Sequence, residues 1–236
     1  MTNTIMTENK RKTCFKMIGH GVYTIAEAAR YTQLEPGKVR RWFKGQASQH
    51  LKPVCRSDYE RVNNDFALSF YDLIDLLVVA EFRKNNVSLP HIRKVYKALR
   101  ERFGKDHPFC FEQLFVDGRR IIVEVKDVIG KPLLIEPVTL QTLYSQFKSF
   151  LKRIDFDSTQ QMAERWRISR GVIIDPQIRF GKPVAESTGV TTFILAMQYE
   201  ANHQDASLVS HLYGVTEQNV LDAVEFETYY GLRRAA

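Results

Sequence analysis

Long apolar runs are missing from this sequence. The longest, "LIDLLVVA" at residues 73–80, falls well short of the roughly 18 residues a membrane-spanning helix needs. Residues 1–16, "MTNTIMTENKRKTCFK", contain no apolar core of the kind a secretory leader requires, and read as a flexible arm. Cysteine is scarce. Cys14, Cys55 and Cys110 are odd in number, widely spaced and without a CxxC pattern, which points to reduced thiols in a cytosol. Catalytic signatures are missing too: there is no GxxxxGK[ST], GxGxxG or GxSxG. The six histidines form neither HxxxH nor HExxH, and Cys110 near His107 stands without further ligands in the local sequence. Asp155 and Asp157 lie together in a polar strand-and-loop segment, not in an apolar pocket. We therefore expect no enzyme, no metal site, no cofactor and no membrane partner.

What is present suits a globular chain. Hydrophobic residues make up 44% and aromatics 11% of 236 residues, enough to bury a core and comfortable for two small domains. Charge is unevenly spread. Residues 171–236 hold 4 Lys/Arg and 8 Asp/Glu, a net of −4, so with +7 overall residues 1–170 carry +11. A basic front and an acidic back suggest two different partners, one of them a polyanion.

Along the chain, Thr24 and Glu27 have capping-box spacing ahead of a helix containing Ala28 and Ala29. "TQLEPG" reads as a turn, with Pro36 opening a second helix. In that helix Val39 and Trp42 share one face while Lys38, Arg40, Arg41 and Lys44 occupy the rest. The stretch from residue 45 to 69 is rich in turn formers and fits a loop with a small hairpin, a wing. Ser69 and Asp72 cap a third helix to about Arg83, and a fourth runs from about Leu89 to Phe103 and stops at Gly104. The fourth turns Ile92, Val95, Tyr96 and Leu99 inward and Arg93, Lys94, Lys97, Arg100 and Arg102 outward. Asp117-Gly118 marks a hairpin, and residues 139–154 read as a connecting helix. Strand-like segments follow at "RWRI" and "GVIID". Three helices close the chain, at about Thr192–Ala201, 205–212 and 216–229, the last capped by Thr216 after a Gly214 turn.

A close-packed first helix, a short turn and a basic second helix are what a major-groove reader requires. "YTIAEAARYTQLEPGKVRRWF" resembles the MerR-type winged helix-turn-helix through Tyr23, Thr24, Ile25, Glu27, Ala29, Thr32, Leu34, Val39, Arg40 and Trp42. Gln33 stands where that family's turn has Gly, Glu35-Pro36 replaces Ser-Pro, and the spacer before Ser69 is longer. The resemblance implies DNA binding through Lys38, Arg40, Arg41 and Lys44, with Lys38 or Arg41 suited to guanine N7 and O6. Arg93 and Lys94 are candidates for a flanking phosphate. The long pairing helix found in such proteins gives way here to the hairpin.

The segment "RGVIIDPQIRFGKPVAESTGV" and the helices after it resemble a small bacterial domain of unknown function with the pattern "DPxIxFGxP". Asp175, Pro176, Ile178, Phe180, Gly181 and Pro183 match, while the family's "GTRIP" reads "STGVT", so its Arg is replaced by Gly189. That domain is common in antitoxins paired with PIN-like ribonuclease toxins. Together the two parts resemble the larger VapB-type antitoxins. The resemblance implies a mainly α fold with small β-hairpins: a winged helix-turn-helix N-terminal domain plus a smaller helix-turn-helix-like C-terminal domain. The expected division is 1–20 flexible arm, 21–104 MerR-like domain, 105–160 hairpin and connecting helix, and 161–236 antitoxin-type domain. The expected partners are double-stranded operator DNA and a PIN-like ribonuclease toxin. Arg179, Phe180, Glu217, Asp222 and Glu225 are candidates for the toxin contact. We expect a cytoplasmic, nucleoid-associated homodimer that represses its own operon. A stand-alone MerR-like transcriptional regulator and a protein-binding scaffold are the alternatives.

Overall fold

The computed structural model describes residues 19–45, 52–59, 67–116 and 152–231. Most of the expected arm, the hairpin at Asp117-Gly118 and residues 139–151 of the expected connecting helix lie outside the described residues. The polypeptide divides into two compact units. One is Tyr23–Glu164; the other is discontinuous, and its described residues are 19–22 and 165–231.

In the Tyr23–Glu164 unit, β1 (Tyr23–Thr24) leads directly into α1 (Ile25–Thr32). Thr24 Oγ accepts from the Glu27 N–H at 3.1 Å, and the Glu27 carboxylate accepts from the Thr24 N–H at 2.9 Å. This capping box satisfies amides that the helix start would leave orphaned. Gln33 ends α1 at φ 56°, in the left-handed region where glycine is the usual choice. Pro36 then opens α2 (Pro36–Lys44), which buries Val39, Trp42 and Phe43 and packs on α1.

β2 (Ala67–Leu68) pairs antiparallel with β1, Tyr23 opposite Leu68 and Thr24 opposite Ala67. The short strand before the third helix is therefore tied to the chain ahead of α1. Of the expected wing, residues 46–51 and 60–66 lie outside the described residues. In the described part, the Val54 and Cys55 N–H groups donate to Trp42 O at 2.8 and 3.3 Å.

Ser69 and Asp72 form a second capping box at the start of α3 (Phe70–Lys84). This helix is buried nearly all round, including Asp72 and Asp75, as befits a central element. α4 (Leu89–Phe103) buries Ile92, Val95, Tyr96 and Leu99 and ends at Gly104, φ 64°. A 3-10 turn, Pro108–Cys110, packs on α3 and α4 and inserts Phe109 beside Phe82 and edge-on to Tyr96, with ring centroids 5.7 and 5.1 Å away. After the short α5 (Gln113–Val116), the unit resumes with β3 (Ile154–Phe156). Ile154, expected at the end of a helix, thus opens a strand with its side chain buried.

The second unit is built on antiparallel neighbours β4 (Ala163–Ser169), β5 (Val172–Ile174) and β6 (Val184–Ala185), the unit boundary falling inside β4. β4 and β5 turn at Gly171, φ 62°, next to a bulge between Arg167 and Ser169. Residues ahead of Tyr23 belong here: the Val22 N–H donates to Phe180 O and the Gln177 side-chain amide to Gly19 O, both at 3.0 Å. Three helices follow, α6 (Thr192–Ala201), α7 (Ala206–Tyr213) and α8 (Glu217–Phe226). Asp205 caps α7, Gly214 at φ 63° ends it, and Thr216 with Asn219 boxes the start of α8. Ala185, Leu195, Val209, Val220 and Ala223 form a fully buried apolar cluster, with Val190, Tyr199, Ala206, Tyr213 and Val215 packed against it. The described fold is mainly helical with small sheets, as the sequence indicates. No described helix is long and apolar enough to cross a membrane.

Candidate nucleic-acid and partner surfaces

α2 separates its chemistry by face. Val39, Trp42 and Phe43 are buried, while Lys38, Arg40, Arg41 and Lys44 are all exposed, so four cations stand on the outside of one nine-residue helix. The residues after it hold the helix end: through Trp42 O they fix its last turn, and Pro53 O accepts from Arg93 Nε of α4 at 3.3 Å. Arg93 is accordingly half-buried and linked to the spacer, whereas Lys94 is exposed. Four exposed cations on one helix give α2 the charge to meet a polyanion, while Arg93 is tied to the spacer.

The candidates in the second unit take different places. Arg179 and Phe180 form, with Gly181, a run of three residues at positive φ (49°, 56° and 79°), and both side chains are exposed. Phe180 is 61% exposed, and Arg179 Nε donates to Gly189 O at 3.3 Å. Glu217 is exposed in the first turn of α8. Asp222 is buried instead, accepting from Arg170 at 2.7–2.9 Å and from Gln218 at 2.8 Å. Glu225 is exposed, 3.6 Å from the same Arg170.

Sequence reasoning missed an apolar surface on this unit. Phe193, Ile194 and Met197 of α6, Leu208 and Leu212 of α7, and Leu221 of α8 are all exposed. Phe193 and Met197 stand one helical turn apart, as do Leu208 and Leu212, so each pair forms a stripe on its helix. Together with Phe180 and Tyr229, these are the large exposed hydrophobics among the described residues, and all fall in this unit. Apolar stripes of this kind are candidates for an interaction surface. The signal in the sequence was the apolar density of "TFILAM" and "SLVSHLY", which exceeds what one buried stripe uses.

A buried polar cluster in the first unit was also missed. His107 Nδ1 lies 2.9 Å from Asp75 Oδ2 and Nε2 lies 2.9 Å from Asp58 Oδ1. The Tyr96 hydroxyl donates to Asp75 at 2.8 Å, Ser69 Oγ donates to Asp58 at 2.6 Å, and the Ser69 and Asp58 N–H groups donate to Asp72 Oδ2 at 2.9 and 3.2 Å. Burial disfavours the charged ring of His107, but the Asp75 charge and the hydrogen bonds to Asp58 and Asp75 outweigh it and raise the imidazole to about 11. Burial lifts the Asp72 carboxyl to about 7; His107 opposes that shift and Asp58 adds to it. Burial, then the Asp75 charge, push the Cys55 and Cys110 thiols well above their ordinary value, which makes them poor nucleophiles. The sequence clue was the placing of Asp72 and Asp75 inside and beside an apolar run.

No protein-family model matches the chain. It is 22% identical over 224 residues to a protein of Mycobacterium tuberculosis (strain ATCC 25618 / H37Rv) named "Putative antitoxin VapB45", covering 86% of this chain and 92% of that one. Among solved structures, the crystal structure of Rv2018 from Mycobacterium tuberculosis superposes with a TM-score of 0.68 at 22% identity, covering 86% of this chain and 96% of that one. The chain thus shares the fold of Rv2018 and is similar, nearly end to end, to a protein named as an antitoxin.

Proposed function

We propose that this protein is the antitoxin of a toxin–antitoxin module, binding its own operator through α2 and a PIN-like ribonuclease toxin through its second unit. The observation that carries the reading is the partition of exposed chemistry. One unit turns the cations of α2 to solvent; the other holds the large exposed hydrophobics among the described residues. The near full-length similarity to a protein named as a VapB antitoxin agrees with it. A ribonuclease groove is lined with cations for RNA. The second unit exposes the carboxylates of Glu200, Asp205, Glu217 and Glu225 together with the apolar Phe193, Met197, Leu208 and Leu212, and this supports a contact with a cation-lined groove. Asp222 is buried and engaged by Arg170, so it is not among the carboxylates offered to the partner. As a homodimer the protein would place two copies of α2 about one DNA turn, roughly 34 Å, apart.

The test is co-expression with the product of the adjacent reading frame. A stable complex that suppresses a ribonuclease activity supports the proposal. Recovery of the protein alone, still bound to its promoter, would make it a stand-alone regulator.

A further inference from the structure

We infer that Asp58, Asp72 and His107 form a binding site for a divalent transition-metal ion of the zinc type, with Asp75 as the residue that orients the imidazole. This inference is independent of the proposed antitoxin role.

Each of the three residues offers one ligand atom, and these atoms lie within 4.8 Å of one another. Zinc bonds to imidazole nitrogen and carboxylate oxygen are about 2.0–2.2 Å, so ligand atoms sharing one ion stand within about 4.4 Å, and small shifts bring the trio together. A second observation points to a cation. Asp72 is fully buried, and while its Oδ2 takes two backbone N–H groups, its Oδ1 has no hydrogen-bond partner. No Lys or Arg side chain pairs with Asp72 or Asp75 among the described residues. A buried carboxylate oxygen without a donor is the atom a metal ion would satisfy.

The surroundings have the form of a prepared site. His107 directs Nδ1 to Asp75, which is held in turn by the Tyr96 hydroxyl, and this leaves Nε2 facing Asp58. A carboxylate on the far nitrogen of a histidine fixes the ring and strengthens it as a ligand. An ion entering here replaces the hydrogen between Nε2 and Asp58, which leaves as a proton. Access is from the Asp58 side: that side chain is 35% exposed, against 6% for His107. One nitrogen and two carboxylates suit zinc or cobalt(II) better than calcium, which takes six to eight oxygens. The Cys110 thiol is engaged with Tyr71 O at 3.3 Å, outside the set. The site is structural in character, because it ties the spacer after α2 (Asp58), the first turn of α3 (Asp72) and the segment after α4 (His107).

The experiment uses full-length protein stripped with a chelator and titrated with cobalt(II). We expect one equivalent to give the visible bands of a four- or five-coordinate ion, zinc to bleach them, and zinc to raise the unfolding temperature. Asp58→Asn, a change at the partly exposed ligand, should weaken binding at least tenfold and abolish the zinc-dependent thermal shift. Asp75→Asn should weaken it about tenfold with the bands retained but shifted. Absence of cobalt bands and of a zinc-dependent shift in the unaltered protein would overturn the assignment. So would equal affinity in Asp58→Asn, which would put the ion elsewhere.

Discussion

Arg40 and Arg41 together supply two of the four exposed cations on α2, and replacing both by Ala tests whether this helix lies against DNA. The substitution leaves folding nearly untouched. Both side chains are on the solvent side, and Ala is at least as good a helix former as Arg, so a stability change within about 0.5 kcal/mol is expected. Binding should respond differently. If each of the four cations neutralises one phosphate, log K falls with log salt at a slope of about −3.6 per bound chain. Between 50 and 200 mM salt that is a loss of about 150-fold; with two cations removed the slope is about −1.8 and the loss about 12-fold. Fluorescence anisotropy with the protein's own promoter duplex at four salt concentrations measures both slopes. A double variant whose slope matches that of the unaltered protein would refute the placement of α2 on the phosphates.

Other expectations concern the second unit and the buried cluster. Phe193→Glu combined with Leu212→Glu alters side chains already 58% and 59% exposed, so the unfolding temperature should hold while partner affinity falls at least tenfold by calorimetry; undiminished affinity would remove the apolar face from the interface. Gly171→Ala would put a Cβ 2.3 Å from Asp222 Oδ2 at a φ of 62°, and displacing that buried carboxylate from Arg170 should lower stability by about 2–4 kcal/mol; an unchanged urea midpoint would contradict this. In the presence of a chelator, stability should fall as pH rises. Asp72, raised to about 7, contributes stability that is complete below about pH 4 and is lost as pH climbs through 7. His107, raised to about 11, contributes stability that is complete below about pH 6.5 and is lost as pH climbs towards 11. The limiting slope is about 1.4 kcal/mol per pH unit for each proton, and His107→Gln should flatten the part above pH 7; stability that rises between pH 7 and 9 would refute the assignment.

Local chemistry was the legible part of this chain. The boxes at Thr24 and Ser69, the Thr216 cap, the Pro36 helix start and the stops at Gly104 and Gly214 each depend on a few residues close in sequence, and all stand as the sequence indicates, the Thr216 cap being completed by Asn219. The outward position of the α2 cations was legible for the same reason, since helical periodicity fixes which side chains Val39 and Trp42 leave outside. Pairings across long sequence separations were not. β1 finds β2 more than forty residues on, and His107 meets Asp58 and Asp75 from two other elements, so nothing beside any of them in the chain announces the cluster. Asp72 was readable as a cap but not as a buried carboxylate with a spare oxygen. Likewise, apolar residues in α6 and α7 identify helices, while which of them face solvent depends on packing against residues distant in sequence, such as Ala185 and Val220.

One feature of the chain order bears on how the protein is made. Residues 19–22 join partners as far along as Gln177 and Phe180, and the whole Tyr23–Glu164 unit is spelled out between them. At the usual pace of translation, about 5–20 residues per second, that interval lasts about 8–30 s on the ribosome. The inserted unit can therefore fold while the surrounding one is still waiting for its second half, and the apolar residues of α6 to α8 emerge only after the inserted unit is complete.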